Sequence, residues 1–271
     1  MRNILFGYFV ALLILLVQQL YAVHPPTTSS HLSFTGGGIY FWWQAGAAKA
    51  IQEISDVNSF KYIGASAGSL TAVLLATNAS FDYAAEFAVE QAYKKGLFGD
   101  SPRRNGLAGI WGPMVQEWLD VLITNPNIES LNTKLHIAVT PLDIGRMGLK
   151  SVFLSDFIDK KSLITACLAS THIPFFMDGK FCKQYNGRRY IDGSFYPFLS
   201  SLLKKYKAEK EFLPPGIEFT QVYVVDWRKD LEFVKVNSAT SFVQLITPDG
   251  LNKMMNYGYN FMKQEINSGK I

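Results

Sequence analysis

Histidine and cysteine are scarce in this chain, with four and two residues among 271. Two cysteines, Cys167 and Cys182, are too few to staple a disulfide scaffold. In an oxidising compartment they could pair, but the apolar run around Cys167, LITACLA, equally suits a buried free thiol. Charge is sparse as well: 18% of residues are charged, the formal net charge is +4, and no Lys/Arg run exceeds two residues. With no RNA- or DNA-binding motif present, nucleic acid is excluded as the partner. Internal repeats and low-complexity segments are also missing, which excludes a solenoid. No histidine stands near the C-terminal end, where an α/β-hydrolase places its last triad member.

One local absence shapes the N-terminus. After Arg2, residues 4–17 carry no charge and are almost wholly apolar, and a small residue follows at Ala22. Residues 1–22 therefore read as a signal peptide, with an uncleaved signal anchor as the alternative, and the protein is expected in or beyond the secretory pathway. The alternative location is a membrane to which the uncleaved segment anchors it. Residues 23–31, which include PPTTSS, read as a linker. Residues 32–271, 48% hydrophobic over the chain, are enough for one domain with a sizeable core. Asn78-Ala79-Ser80 is a glycosylation acceptor on paper.

What is present is an alternation of short apolar runs with helix-compatible stretches. A strand at 32–35 leads through Gly36-Gly37-Gly38 into a helix over 39–54. A second strand at 60–63 leads through GASAG into the helix over 67–77. Ser80 is placed to cap a helix over 81–95, and further helices are expected at 108–123, 162–169 and 251–267. Strand-like runs recur at 135–139, 151–154, 188–191 and 221–225. Strand–helix units in succession predict an α/β fold with a parallel sheet.

Two glycine-rich turns carry the chemistry. Ser66, between Gly64 and Gly68, sits on a strand-to-helix turn in the GxSxG pattern, which exposes a serine as a nucleophile. The triplet Gly36-Gly37-Gly38 opens another helix, so its amides can donate to an anionic oxygen. No GKS or GKT follows and the spacing is wrong for GxGxxG, so an oxyanion hole suits it better than a phosphate cradle. Two bases remain open. Ser66 with Asp143 or Asp156 and His172 would form a triad. Asp192, leaving a strand onto Gly193 and Ser194, could instead accept the proton directly.

Taken together, TGGG at 35–38, Gly46, GASAG at 64–68 and Asp192-Gly193-Ser194 resemble the patatin-like phospholipase family, over residues 32–200. The spacing is similar to that of its animal triglyceride-lipase branch. The resemblance implies a three-layer α/β/α fold with a mostly parallel central sheet. It implies a Ser66–Asp192 dyad, with Gly193 shaping the dyad turn, Gly64 and Gly68 the elbow, and Gly36, Gly37 and Gly38 the oxyanion hole. His172 becomes a wall or packing residue within ASTHIPFF. The implied substrate is a lipid carboxylic ester, met at a membrane or lipid-droplet surface, with no cofactor and no metal. Two positions depart from the pattern: Phe41 where the family has another glycine, and Ser194 where it has glycine or alanine. A damaged oxyanion hole at Phe41 would leave a silent lipid-binding protein of the same fold. Most aromatics are expected in the core, with Phe98, Trp111 or Phe175 set against an acyl groove or a lipid interface in the alternative reading.

Overall fold

The computed structural model describes residues 30–142, 150–197, 213–237 and 245–271. The expected leader and most of the expected linker lie outside the described residues, as does Asp143. The strands are β1 (His31–Phe34), β2 (Lys61–Ala65), β3 (Leu135–Pro141), β4 (Val152–Leu154), β5 (Lys183–Tyr185), β6 (Arg188–Ile191) and β7 (Val222–Val225). They form one mixed sheet in the order β5-β6-β3-β2-β1-β7, with β4 also paired to β3. The central strands β7, β1, β2 and β3 run parallel, and β4 and β6 add to β3 antiparallel. His31, placed in the linker by its sequence, is instead the first residue of β1 and is buried. The apolar pattern begins at Leu32, but the parallel ladder to Lys61 and Val222 extends one residue further.

The helices are α1 (Phe41–Ile54), α2 (Ala67–Ala76), α3 (Phe81–Lys94), α4 (Trp111–Leu122), α5 (Ile128–Lys134), α6 (Lys160–Ser170), α7 (Leu231–Val236) and α8 (Pro248–Asn267). Ser80 caps α3 by accepting the Tyr83 amide, as its sequence suggests. Helix α2 is buried along nine of its ten residues, which explains why it shows no polar face: it lies against β1, β2 and β3 beneath α1. Helices α1 and α8 cross at two glycines. A Cβ on Gly46 would stand 1.8 Å from the Met255 carbonyl oxygen, and one on Gly258 would stand 1.8 Å from that of Trp43. That close crossing explains Gly46 by packing and gives it no part in the chemistry. Both thiols are free: Cys167 is buried in α6, and burial pushes its pKa up, while Cys182 is half-buried. Asn78 is exposed in the turn between α2 and α3.

Parallel pairing decides where the chemistry can sit. With β1 beside β2 in the register Phe34↔Gly64, the turns that follow both strands emerge side by side at one end of the sheet. Strand β6, antiparallel to β3 through Thr140↔Ile191, brings Asp192 to the same end.

Candidate active site

Ser66 follows β2 and precedes α2 with φ of 52° and ψ of −128°. This is a left-handed backbone that costs a non-glycine residue about 1–3 kcal/mol and persists only when its surroundings enforce it. The surroundings do so by close approach. A Cβ on Gly68 would lie 2.1 Å from the Phe34 carbonyl oxygen, and one on Gly64 would lie 2.5 Å from the Ser69 Cα. The glycines let α2 start directly over its own strand and its neighbour. Ser69 Oγ then donates to the Ser66 carbonyl at 2.7 Å.

The Ser66 hydroxyl donates to Asp192 Oδ2 at 2.6 Å, across 126 positions of sequence. Asp192 is held from three sides. Its amide donates to the His172 carbonyl at 2.9 Å, its carbonyl accepts from Thr140 Oγ1 at 2.9 Å, and its Oδ1 accepts the Ser194 amide at 2.8 Å. Part of the residue's surface is open, but the carboxyl group lies deep in the fold. Loss of solvation pushes its pKa up to about 6 from an ordinary 3.8, against hydrogen bonds from the Ser66 hydroxyl and from the amide and side chain of Ser194, which pull it down. Gly193 is required by space: a Cβ there would lie 2.1 Å from the Ala138 carbonyl oxygen.

The glycine loop borders the same point. A Cβ on Gly36 would meet Ser194 Oγ at 2.0 Å and Ser66 Cβ at 3.2 Å, so both serines crowd one face of this glycine. Gly38 has φ of +55° and opens a single 3-10 turn, in which the Tyr40 amide bonds the Gly37 carbonyl. The amides of Gly37 and Gly38 have no acceptor among the described residues. Phe41 is different from what its position in the motif suggests. Its amide bonds the Gly38 carbonyl and its ring packs against Trp118 at 5.4 Å, so it contributes no free donor and closes the loop instead. Gln44, wholly buried, donates to the Thr35 carbonyl at 2.6 Å and accepts from Thr71 Oγ1 at 3.2 Å, which ties the loop to α1 and α2.

His172 is buried but turned away: its Nε2 lies 3.1 Å from the Lys180 carbonyl oxygen, and desolvation lowers its pKa. Asp156 accepts the Tyr185 hydroxyl through its backbone carbonyl at 2.9 Å. The structure therefore brings Ser66 to Asp192, and His172 contributes its backbone.

Sequence reasoning missed Ser170, although it lies within ASTHIPFF. Ser170 Oγ accepts the Ser66 amide at 2.9 Å and donates to the Ala138 carbonyl at 2.7 Å, while its carbonyl accepts the Gly193 amide at 2.8 Å. One buried hydroxyl thus links the elbow to β3, and its backbone links to the dyad turn. Ser170→Ala strands two buried backbone groups, at about 1–3 kcal/mol each. The expected outcome is a measurably lower thermal midpoint and a kcat lowered more than KM is changed, read by melting and steady-state kinetics. No sequence signal separates this serine from its neighbours.

From Ser66 an apolar cleft opens between α1, α2 and α4, with about 1050 Å³ of empty space including its mouth. Gly38, Leu70, Phe98, Trp111 and Trp118 are among its walls. Phe98 and Trp111 stand where the groove reading put them; Phe175 is on the surface, 64% exposed. Among the described residues no cluster of His, Cys, Asp and Glu could hold a metal.

A strained serine is thus bonded to a buried carboxylate, beside unclaimed glycine amides and an apolar cleft. Residues 32–200 match the model of the family described as patatin-like phospholipase, and the chain belongs to that family. It is 30% identical over 176 residues to the human omega-hydroxyceramide transacylase, covering 63% of this chain and 31% of that one. It is 29% identical over 175 residues to bovine patatin-like phospholipase domain-containing protein 2, covering 62% of this chain and 34% of the relative. The chain thus spans about a third of the length of these curated relatives. VipD from Legionella pneumophila has a similar fold, with a TM-score of 0.51 at 12% identity over 89% of this chain and 67% of that one.

Proposed function

We propose that the protein is a serine lipid acyl hydrolase that cleaves carboxylic esters of phospholipids or acylglycerols through an acyl-enzyme on Ser66. The observation that carries this reading is the 2.6 Å bond to Asp192 from the hydroxyl of Ser66, a wall residue of the apolar cleft. With the acyl chain in the cleft, the ester carbonyl stands over Ser66. Ser66 Oγ bonds the carbonyl carbon as its proton passes to Asp192 Oδ2. Negative charge gathers on the carbonyl oxygen, where the Gly37 and Gly38 amides receive it, with Gly36 fixing their approach. Asp192 then returns the proton to the departing alkoxide. A water enters, gives its proton to Asp192 and attacks the acyl carbon, and Ser66 is released with its proton restored.

The catalytic domain in this reading is residues 32–271. The apolar stretch at 1–22 supports a place in the secretory pathway, or at a membrane if it stays attached. The lipid cleft supports work at a membrane or lipid-droplet surface. Incubation of the full chain with a mixed lipid extract should release fatty acids, and a fluorophosphonate should label Ser66. Absence of labelling in folded protein would favour a silent lipid-binding protein. His172→Gln should keep full labelling; its loss, with Asp192→Asn still active, would restore the histidine triad.

A further inference from the structure

Phe175 is an aromatic residue with φ of +65°. Bulky residues avoid this left-handed backbone at about 1–3 kcal/mol, so its persistence asks for a cause. Packing supplies none, because the ring is 64% exposed. Its neighbour Phe181 is 52% exposed, with the two ring centroids 5.6 Å apart. The loop that carries them is nonetheless firmly built. The Phe175 amide donates to the Lys180 carbonyl at 2.8 Å, and the Gly109 and Gly112 amides hold the carbonyls of Phe176 and Met177. Ile173 and Met177 of this loop line the apolar cleft, and the His172 carbonyl holds Asp192. An ordered loop thus presents two large apolar rings to solvent while its other side borders the reaction centre.

The charges around the pair have a sign. Lys180 is exposed within the loop. Lys183, at the start of β5, stands two residues beyond Phe181. Asp178 opposes them; it, Lys180 and Lys183 all lie within electrostatic reach of His172. Two rings ready to enter a hydrocarbon boundary, flanked by two lysines against one carboxylate, match an anionic phospholipid bilayer in chemistry.

We propose that the loop of residues 172–182, with the Phe175–Phe181 pair at its tip, docks the protein on an anionic phospholipid bilayer and sets the cleft against the membrane. This rests on the reading of the cleft as the acyl site. Phe175 and Phe181 enter the lipid interface, while Lys180 and Lys183 meet the headgroups.

The test is flotation of the full chain with vesicles of phosphatidylcholine alone or with phosphatidylserine added. A local readout accompanies it: amide hydrogen exchange over residues 172–183, which the apolar N-terminal stretch does not report. Phe175→Asn with Phe181→Ser is the apolar variant, asparagine being at ease with the left-handed backbone. It should need at least about tenfold more lipid for half binding, and lose the exchange protection that phosphatidylserine vesicles give wild type. Lys180→Gln with Lys183→Gln should weaken binding about tenfold on anionic vesicles only. Turnover of a soluble short-chain ester should be unchanged in both variants, and Ser66→Ala should bind vesicles as wild type does. Unchanged lipid demand and protection in the apolar variant, or equal binding to both vesicle types, would overturn the docking proposal even if soluble ester is cleaved. Docking by a wild type that cleaves neither soluble nor vesicle ester would sink the hydrolase reading and leave the surface standing.

Discussion

Ser66→Ala is expected to lower kcat for ester cleavage by about 10⁴ to 10⁶-fold, with KM little changed. The alanine removes the atom that forms the acyl bond, and nothing else near the glycine loop replaces it. Ser194 offers a second hydroxyl, but its Oγ is buried against Gly36 and on the Asp192 carboxylate, whose charge it helps to hold. The loss should therefore be nearly complete. The fold should persist, because the Ser66 hydroxyl makes one bond, while the Ser66 amide and carbonyl keep theirs to Ser170 and Ser69. The alanine also removes one of the hydrogen bonds that hold the Asp192 charge, while Asp192 retains the Ser194 amide. The decisive form of the measurement is a double mutant. If Ser66 and Asp192 act as one unit, Ser66→Ala combined with Asp192→Asn should be no slower than Ser66→Ala alone, within about tenfold. Multiplying losses would mean that Asp192 works elsewhere. Activity of the single alanine variant within tenfold of wild type would end the acyl-enzyme mechanism.

Much of this site was legible because its requirements are local. A serine between two glycines at a strand-to-helix junction announces a tight crossing, and the structure shows the crossing at Gly64 and Gly68, where a Cβ would clash with backbone. The triplet Gly36-Gly37-Gly38 was legible for the same reason. The strand at Arg188–Ile191 is legible in full from its residues. Elements whose stability comes from elsewhere were harder. Helix α5 starts with an Asn127 cap and only one buried residue, too short an apolar signal to stand out. Strand β5 is three residues of KQY, which pair only because β6 folds back on them. Ser170 and Thr140 were invisible as supports because each acts through a backbone group distant in sequence. Phe41 shows the reverse limit: the sequence marks the departure from glycine, but only the 3-10 turn shows that its amide is already engaged.

Asp192→Asn is expected to abolish turnover and to stabilise the protein at neutral pH. On activity, the asparagine cannot accept the Ser66 proton, and a loss of about 10⁴-fold follows by comparison with other active-site carboxylates. In wild type the base is the ionised form, so activity should rise with pH through about 6 and fall away below it as Asp192 protonates. On stability the sign runs the other way. The folded carboxyl group holds its proton up to about 6, while in the unfolded chain it releases it near 3.8. The folded state thus binds more protons between those values, and stability is lost as pH rises through them. Two pH steps at about 1.4 kcal/mol each put the cost of the buried charge at about 3 kcal/mol by pH 7. Asparagine keeps the shape and an acceptor for the Ser194 amide without the charge, so it should recover about 1–3 kcal/mol. For a chain of this size that is several degrees of thermal midpoint. The gain should be full at pH 7.5 and about a third of that at pH 4.5, where the folded aspartate is protonated but the unfolded one is already largely ionised. Melting curves of both proteins at the two pH values measure it. An equal gain at both would assign the effect to packing, and no gain at pH 7.5 would mean that the Asp192 charge is compensated by groups other than Ser66 and Ser194.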